Sequence, residues 1–238
     1  MPNRQPDAID AVDNLARLHA THGGATHTEP PPLSRHGALA TIVKELSPAY
    51  FAMVMATGIV SVSAHLLGMV QLASVLFVLN VAVYAVIWVL FLLRFWWFRP
   101  RIVEDLTDHQ RGPGFFTAVA ASCILGNQFV VQADNFAVAE LLWFLGSALW
   151  VLLIYTILTA LTVKQVKPDL YDSISGAWLL AVVATQSVAG LSALISHHWE
   201  QPYRLIINFF ALSMWLWGGM LYIWMMSLIF YRYTFFRL

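Results

Sequence analysis

Residues 46–68 read LSPAYFAMVMATGIVSVSAHLLG, 23 residues without a single Asp, Glu, Lys or Arg. As a helix they span roughly 34 Å at 1.5 Å per residue, enough to cross a hydrocarbon core of about 30 Å. The start is prepared: Ser47 stands where an N-cap belongs, and Pro48 where a first-turn proline loses no hydrogen bond. The middle is unusual for a helix in lipid. Thr57, Gly58, Ser61, Ser63 and Ala64 put small and polar groups where Leu or Phe would suit lipid better. Such residues admit a close backbone or line water.

Composition extends that reading to the whole chain. Of 238 residues, 59% are hydrophobic and 11% charged, and the mean hydropathy is +0.68. Soluble domains carry about 25% charge, so the class is a polytopic, all-α membrane protein. A formal net charge of zero offers no basic surface for nucleic acid. The lone Cys123 excludes an intrachain disulfide.

Forty-eight residues, 46–93, pass without a formal charge. One helix of that length would run roughly 72 Å, so the chain must turn back, at 68–71. The pattern predicts six spans, at about 46–68, 72–97, 115–132, 136–163, 173–196 and 203–231. Arg94, Trp96, Trp97 and Arg99 read as an interfacial anchor, and residues 99–114 as a polar link. Residues 1–45, with HATHGGATHTEPPP inside them, read as a flexible cytoplasmic tail without an apolar signal region, and 46–238 as the transmembrane domain. All ten prolines fall in the tail or at span edges. Twelve of the 13 Lys and Arg lie on the side of the two termini, leaving Arg204 on the other. The positive-inside rule then places both termini in the cytoplasm of a cell-membrane protein.

The spans alternate in kind. The odd ones carry MATGIVSVSA, TAVAASCILGNQ and AVVATQSVAGLSA; the even ones are bulky and aromatic, as in FFALSMWLWGGMLYIWMM. Small polar faces suit an interior and large apolar ones suit lipid, so three hairpins are expected, each an inner helix followed by an outer one. For any one residue, tight packing or a hydroxyl bonded one turn back is the commoner explanation. The shared bias of all three odd helices favours a polar route. Its pore-facing candidates are Thr57, Gly58 and Ser61, then Ser122, Gly126 and Asn127, then Thr185, Ser187 and Gly190. No charged residue lies mid-span in an inner helix, and a neutral route of hydroxyls, amides and helix ends suits an anion.

Other polar residues are weaker candidates. His65 lies near a pore mouth; His197 and His198 lack a third metal ligand; no facing histidine pair could hold haem. Glu140 is expected to be solvated. No nucleophile–base constellation and no phosphate loop are present, so neither an enzyme nor a cofactor is expected.

With LSPAYFAMVMATGIVSVSAHLLG, GPGFFTAVAASCILGNQF and SGAWLLAVVATQSVAGLSA on the page, the chain resembles the tellurite-resistance and four-carbon-dicarboxylate transporter family. That family also takes in malic-acid transporters, sulfite exporters and plant slow anion channels. The resemblance covers residue 46 to the C-terminus. It implies ten helices in five hairpins around a central pore, small inorganic or organic anions as cargo, and a homo-oligomer, often a trimer. Three hairpins instead of five lead to the expectation of an incomplete pore. Inner helices of relatives kink at proline, a part only Gly58, Gly126 and Gly190 could take here. The relatives' gating phenylalanine has no assigned counterpart, and Phe129 is expected to face lipid or a helix. Expected cargo is malate-like dicarboxylate; an exporter of sulfite or tellurite-like oxyanions and a non-transporting membrane subunit are the alternatives.

Overall fold

A computed structural model of the chain describes residues 43–163 and 174–235. The expected tail up to residue 42, the link bearing Lys164, Lys167 and Pro168, and Arg237 lie outside the described residues. The described residues belong to one compact unit, Ala40–Leu238.

Seven α-helices lie wholly within the described residues: α1 (Phe51–Leu66), α2 (Val70–Trp97), α3 (Arg99–Thr107), α4 (Phe116–Ala133), α5 (Phe136–Val163), α6 (Leu179–Ile195) and α7 (Tyr203–Phe235). Among the described residues all but α3 are long and apolar enough to cross a membrane. The first turn-back uses Gly68 at φ +80°, a conformation glycine adopts without strain. The second is tighter. Asp134 takes a left-handed φ of 48°, and the Asn135 side chain accepts the Val138 N–H at 3.1 Å to start α5.

The core is built on α4. Residues 112–126 are buried without interruption. Ala118, Ala120, Ala121, Ser122 and Gly126 make α4 thin, so α1, α5 and α6 approach closely along it. α1 packs on one flank of α4 and α6 on the other, α2 lies on α1, and α7 lies on α6. Gly126 and Gly58 are contact points and not free hinges. A Cβ at Gly126 would stand 2.6 Å from Leu191 Cδ2, and one at Gly58 would stand 2.5 Å from Ile124 Cγ2. Gly190 has open space instead. Gly58→Val is therefore expected to cost about 1–3 kcal/mol by overpacking, while Gly190→Ala is expected to change stability little. Thermal unfolding in detergent, followed by tryptophan fluorescence, measures both; equal midpoints for the two variants would contradict the packing argument.

Two corrections to the sequence reading come from burial. The segment expected as a polar link contains α3, an amphipathic helix with Pro100 in its first turn. It forms because Ile102 and Asp105 have something to bury against, a tertiary reason that local polarity hides. Arg94 is no interfacial anchor. It is 1% exposed and donates to Asp105 Oδ2 at 2.5 Å, while exposed Arg111 donates to Asp105 Oδ1 at 3.1 Å. Trp96 and Trp97 are exposed, as an interfacial anchor requires.

Candidate permeation site

The three small-residue helices begin alike. Each is entered through a short 3-10 helix: Pro48–Tyr50, Gly112–Phe115 and Gly176–Trp178. These start at positions 48, 112 and 176, a spacing of 64 each time. The first touches the second and the second touches the third. Thr117 Oγ1 ties two of them together, donating at 2.9 Å to Pro48 O across the contact and lying 2.7 Å from Gly114 O in its own helix. Ser47 caps the first, its Oγ accepting the Ala49 N–H at 3.3 Å. None of the three carries an acidic residue in its first turn, nor do α1, α4 and α6 that continue them. Three helix N-termini thus gather at one end of the bundle, where the aligned peptide dipoles favour negative charge.

Further along the spans, three inner hydroxyls follow one rule. Ser122 Oγ donates to Ala118 O at 2.8 Å, one turn back, and accepts from the Tyr84 hydroxyl at 2.8 Å. Thr185 Oγ1 donates to Ala181 O at 2.7 Å and accepts from Trp150 Nε1 at 2.8 Å. Ser192 does the same with Val188 O and Trp143 Nε1, both at 2.6 Å. A hydroxyl that returns its proton to its own helix keeps lone pairs for a neighbour, and here the neighbour is an aromatic donor on an even span. Buried between helices, such bonds fix which face of α4 meets α2 and which face of α6 meets α5.

A second polar cluster joins α1, α2 and α4. Asn80 Nδ2 donates to Gln128 Oε1 at 2.6 Å, and both residues are fully buried. Ser61 Oγ donates to Ala73 O at 2.9 Å and accepts from Gln132 Nε2 at 2.8 Å. Gly58 lies against this pair, since a Cβ there would be 3.1 Å from Asn80 Nδ2 and 3.3 Å from Gln128 Oε1.

The nine candidates therefore divide. Gly58, Ser61, Ser122, Gly126 and Thr185 are buried, and each touches a named neighbour on another helix. Thr57, Asn127 and Ser187 are half-buried and Gly190 is exposed. Ser187 Oγ donates to Val183 O at 2.8 Å, and Asn127 Oδ1 is a buried acceptor without a partner. Phe129 packs edge-on against Phe77 of α2, with ring centroids 5.0 Å apart. Glu140 differs from expectation, because its Oε1 is buried and takes no hydrogen bond. It lies on the stripe of α5 that meets α6, between Phe136, stacked on His198 at 4.6 Å, and Trp143. Among the described residues no three His, Cys, Asp or Glu side chains converge to hold a metal.

Asn80, Tyr84, Gln128, Gln132, Trp143 and Trp150 escaped the sequence reading. One signal was available: Asn80 is a lone amide within FVLNVAVY, and an amide in a lipid-facing span needs an inward partner. Trp and Tyr gave none, because an aromatic ring in a span serves lipid contact and interior hydrogen bonding equally well.

A family model described as voltage-dependent anion channel matches residues 45–238. Two proteins of Methanocaldococcus jannaschii, each described as an uncharacterized transporter, are similar to the chain. One is 28% identical over 202 residues, covering 81% of this chain and 56% of its own length; the other is 23% identical over 200 residues, covering 80% and 57%. The chain spans a little over half the length of these relatives. No solved structure matches it.

Proposed function

The chain belongs to the voltage-dependent anion channel family, and from that premise we propose that it carries small anions along the polar side of α1, α4 and α6. It is a multi-pass membrane protein of a transporter and channel family, and the resemblance read from its small-residue spans is borne out at that level. The observation that carries the proposal is the meeting of three helix N-termini free of acidic residues. An anion arriving there exchanges part of its hydration for the positive ends of helix dipoles, with no acidic residue in their first turns. Thr57, Asn127, Ser187 and Gly190 are the proposed lining. Gly58, Ser61, Ser122, Gly126 and Thr185 are proposed to act behind them, holding the helices in register. Dicarboxylates of the malate type are the proposed cargo. Flux of malate, chloride, nitrate and sulfite into proteoliposomes, with and without a pH gradient, tests the reading. No flux of any of the four above empty liposomes would refute it.

The converging N-termini are proposed to face the cytoplasm, on the strength of the basic-residue bias. Single cysteines at Gly68 and His198 should then react with an impermeant thiol reagent added to intact cells, and one at Asp108 should not. The native Cys123 is fully buried and stays silent in this experiment. Labelling of Asp108 from outside would invert the orientation.

A further inference from the structure

An apolar cavity of about 200 Å³ opens between α1, α2, α3 and α5, at the end of the bundle where the inner helices begin. Phe51, Phe91, Phe95, Ile102, Leu106 and Leu152 are among its walls. Pro48 and Phe115 of two of the 3-10 helices also wall it, while its walls Phe95 and Leu152 are exposed on the outer surface of the bundle. At this depth the apolar molecules at hand are lipid tails.

Its rim is charged. The Arg99 guanidinium stands 5.4 Å from the ring centroid of Phe95, which is itself a wall of the cavity. Arg101 is exposed two residues on, along the same helix. Neither arginine forms an ion pair among the described residues, because the two that form both use Asp105, with Arg94 and Arg111. Asp108 is also committed, its Oδ1 accepting the backbone N–H groups of Gln110 and Arg111, both at 2.8 Å. Within α3 itself, Glu104 is the one carboxylate besides Asp105 to offset Arg99 and Arg101. Trp96 and Trp97, exposed just before α3, mark this level as the headgroup region.

We propose that this cavity and its rim form a binding site for an anionic phospholipid, with part of one acyl chain among the phenylalanines and the phosphate on Arg99, Arg101 adding positive charge at the same level. The two halves of the site demand one molecule. A free anion satisfies the arginines and leaves the cavity empty; a zwitterionic lipid fills the cavity and brings its own cation to an already cationic rim.

The full chain in detergent micelles is the test, with unfolding followed by tryptophan fluorescence as lipid is added. Phosphatidylglycerol should raise the midpoint by about 4 °C or more, while phosphatidylcholine and inorganic phosphate leave it nearly unchanged. The double variant R99Q/R101Q, both sites exposed, should lose most of the phosphatidylglycerol shift. Ala118→Leu, which fills the cavity from α4, should reduce it too; if that variant fails to fold, the arginine pair decides. An equal shift with phosphatidylcholine, an equal shift with phosphate alone, or a full shift retained in R99Q/R101Q would overturn the proposal.

Discussion

Asp105→Ala is expected to remove most folded protein from detergent extracts, with a loss of about 3–5 kcal/mol. Asp105 is the shared acceptor of Arg94 and Arg111, and it and Arg94 are almost wholly buried. Taking away the carboxylate leaves a guanidinium at the end of α2 with no counter-charge, on a residue whose Nε and Nη1 already lack partners. Arg111 is exposed and can turn to water, so its own truncation should cost much less. α3 would lose its tie to α2, and the Gly112–Phe115 entry into α4 follows α3 directly. Size-exclusion profiles and unfolding midpoints of Asp105→Ala, Arg94→Gln and Arg111→Gln measure the effect. Three equal, small losses would show that the buried pair does not hold this end together.

Asn127→Leu combined with Ser187→Leu is expected to lower anion flux at least tenfold in proteoliposomes while the protein still reaches the membrane. A barrier raised by about 1.4 kcal/mol is enough for that factor. Both residues are half-buried, so a larger apolar side chain can extend toward the proposed route, and Asn127→Leu also removes a buried, unpartnered Oδ1. The comparison that gives the result its meaning is Ser122→Ala with Thr185→Ala. Those hydroxyls take their partners from Tyr84 and Trp150, so their loss should lower the unfolding midpoint more than it lowers flux per folded molecule. Val151, exposed on α5, supplies a control that Leu153 does not, since Leu153 is buried. Flux unchanged in Asn127→Leu/Ser187→Leu would move the route elsewhere.

Much of this architecture is a property of the sequence. Long uncharged runs such as 46–93 have no alternative to crossing a membrane more than once, and the turns at Gly68 and at Asp134–Asn135 are local chemistry. The small residues of TAVAASCILG likewise announce a helix that others can approach closely. Local sequence could not say which side of each small-polar helix is covered. Gly58 and Gly190 are the same residue on similar helices, yet one is pressed against Ile124, Asn80 and Gln128 while the other meets open space. That difference depends on which helix lies alongside, a contact between residues as far apart as 58 and 128. The same holds for charge. Arg94 reads as a membrane-surface anchor until Asp105, a turn and a helix later, is brought against it. Hydrophobic pattern is written residue by residue and fixes the spans. Pairing of polar groups is decided between helices, where a hydroxyl, an amide or a guanidinium must find its partner out of water, and only the tertiary structure shows which one it found.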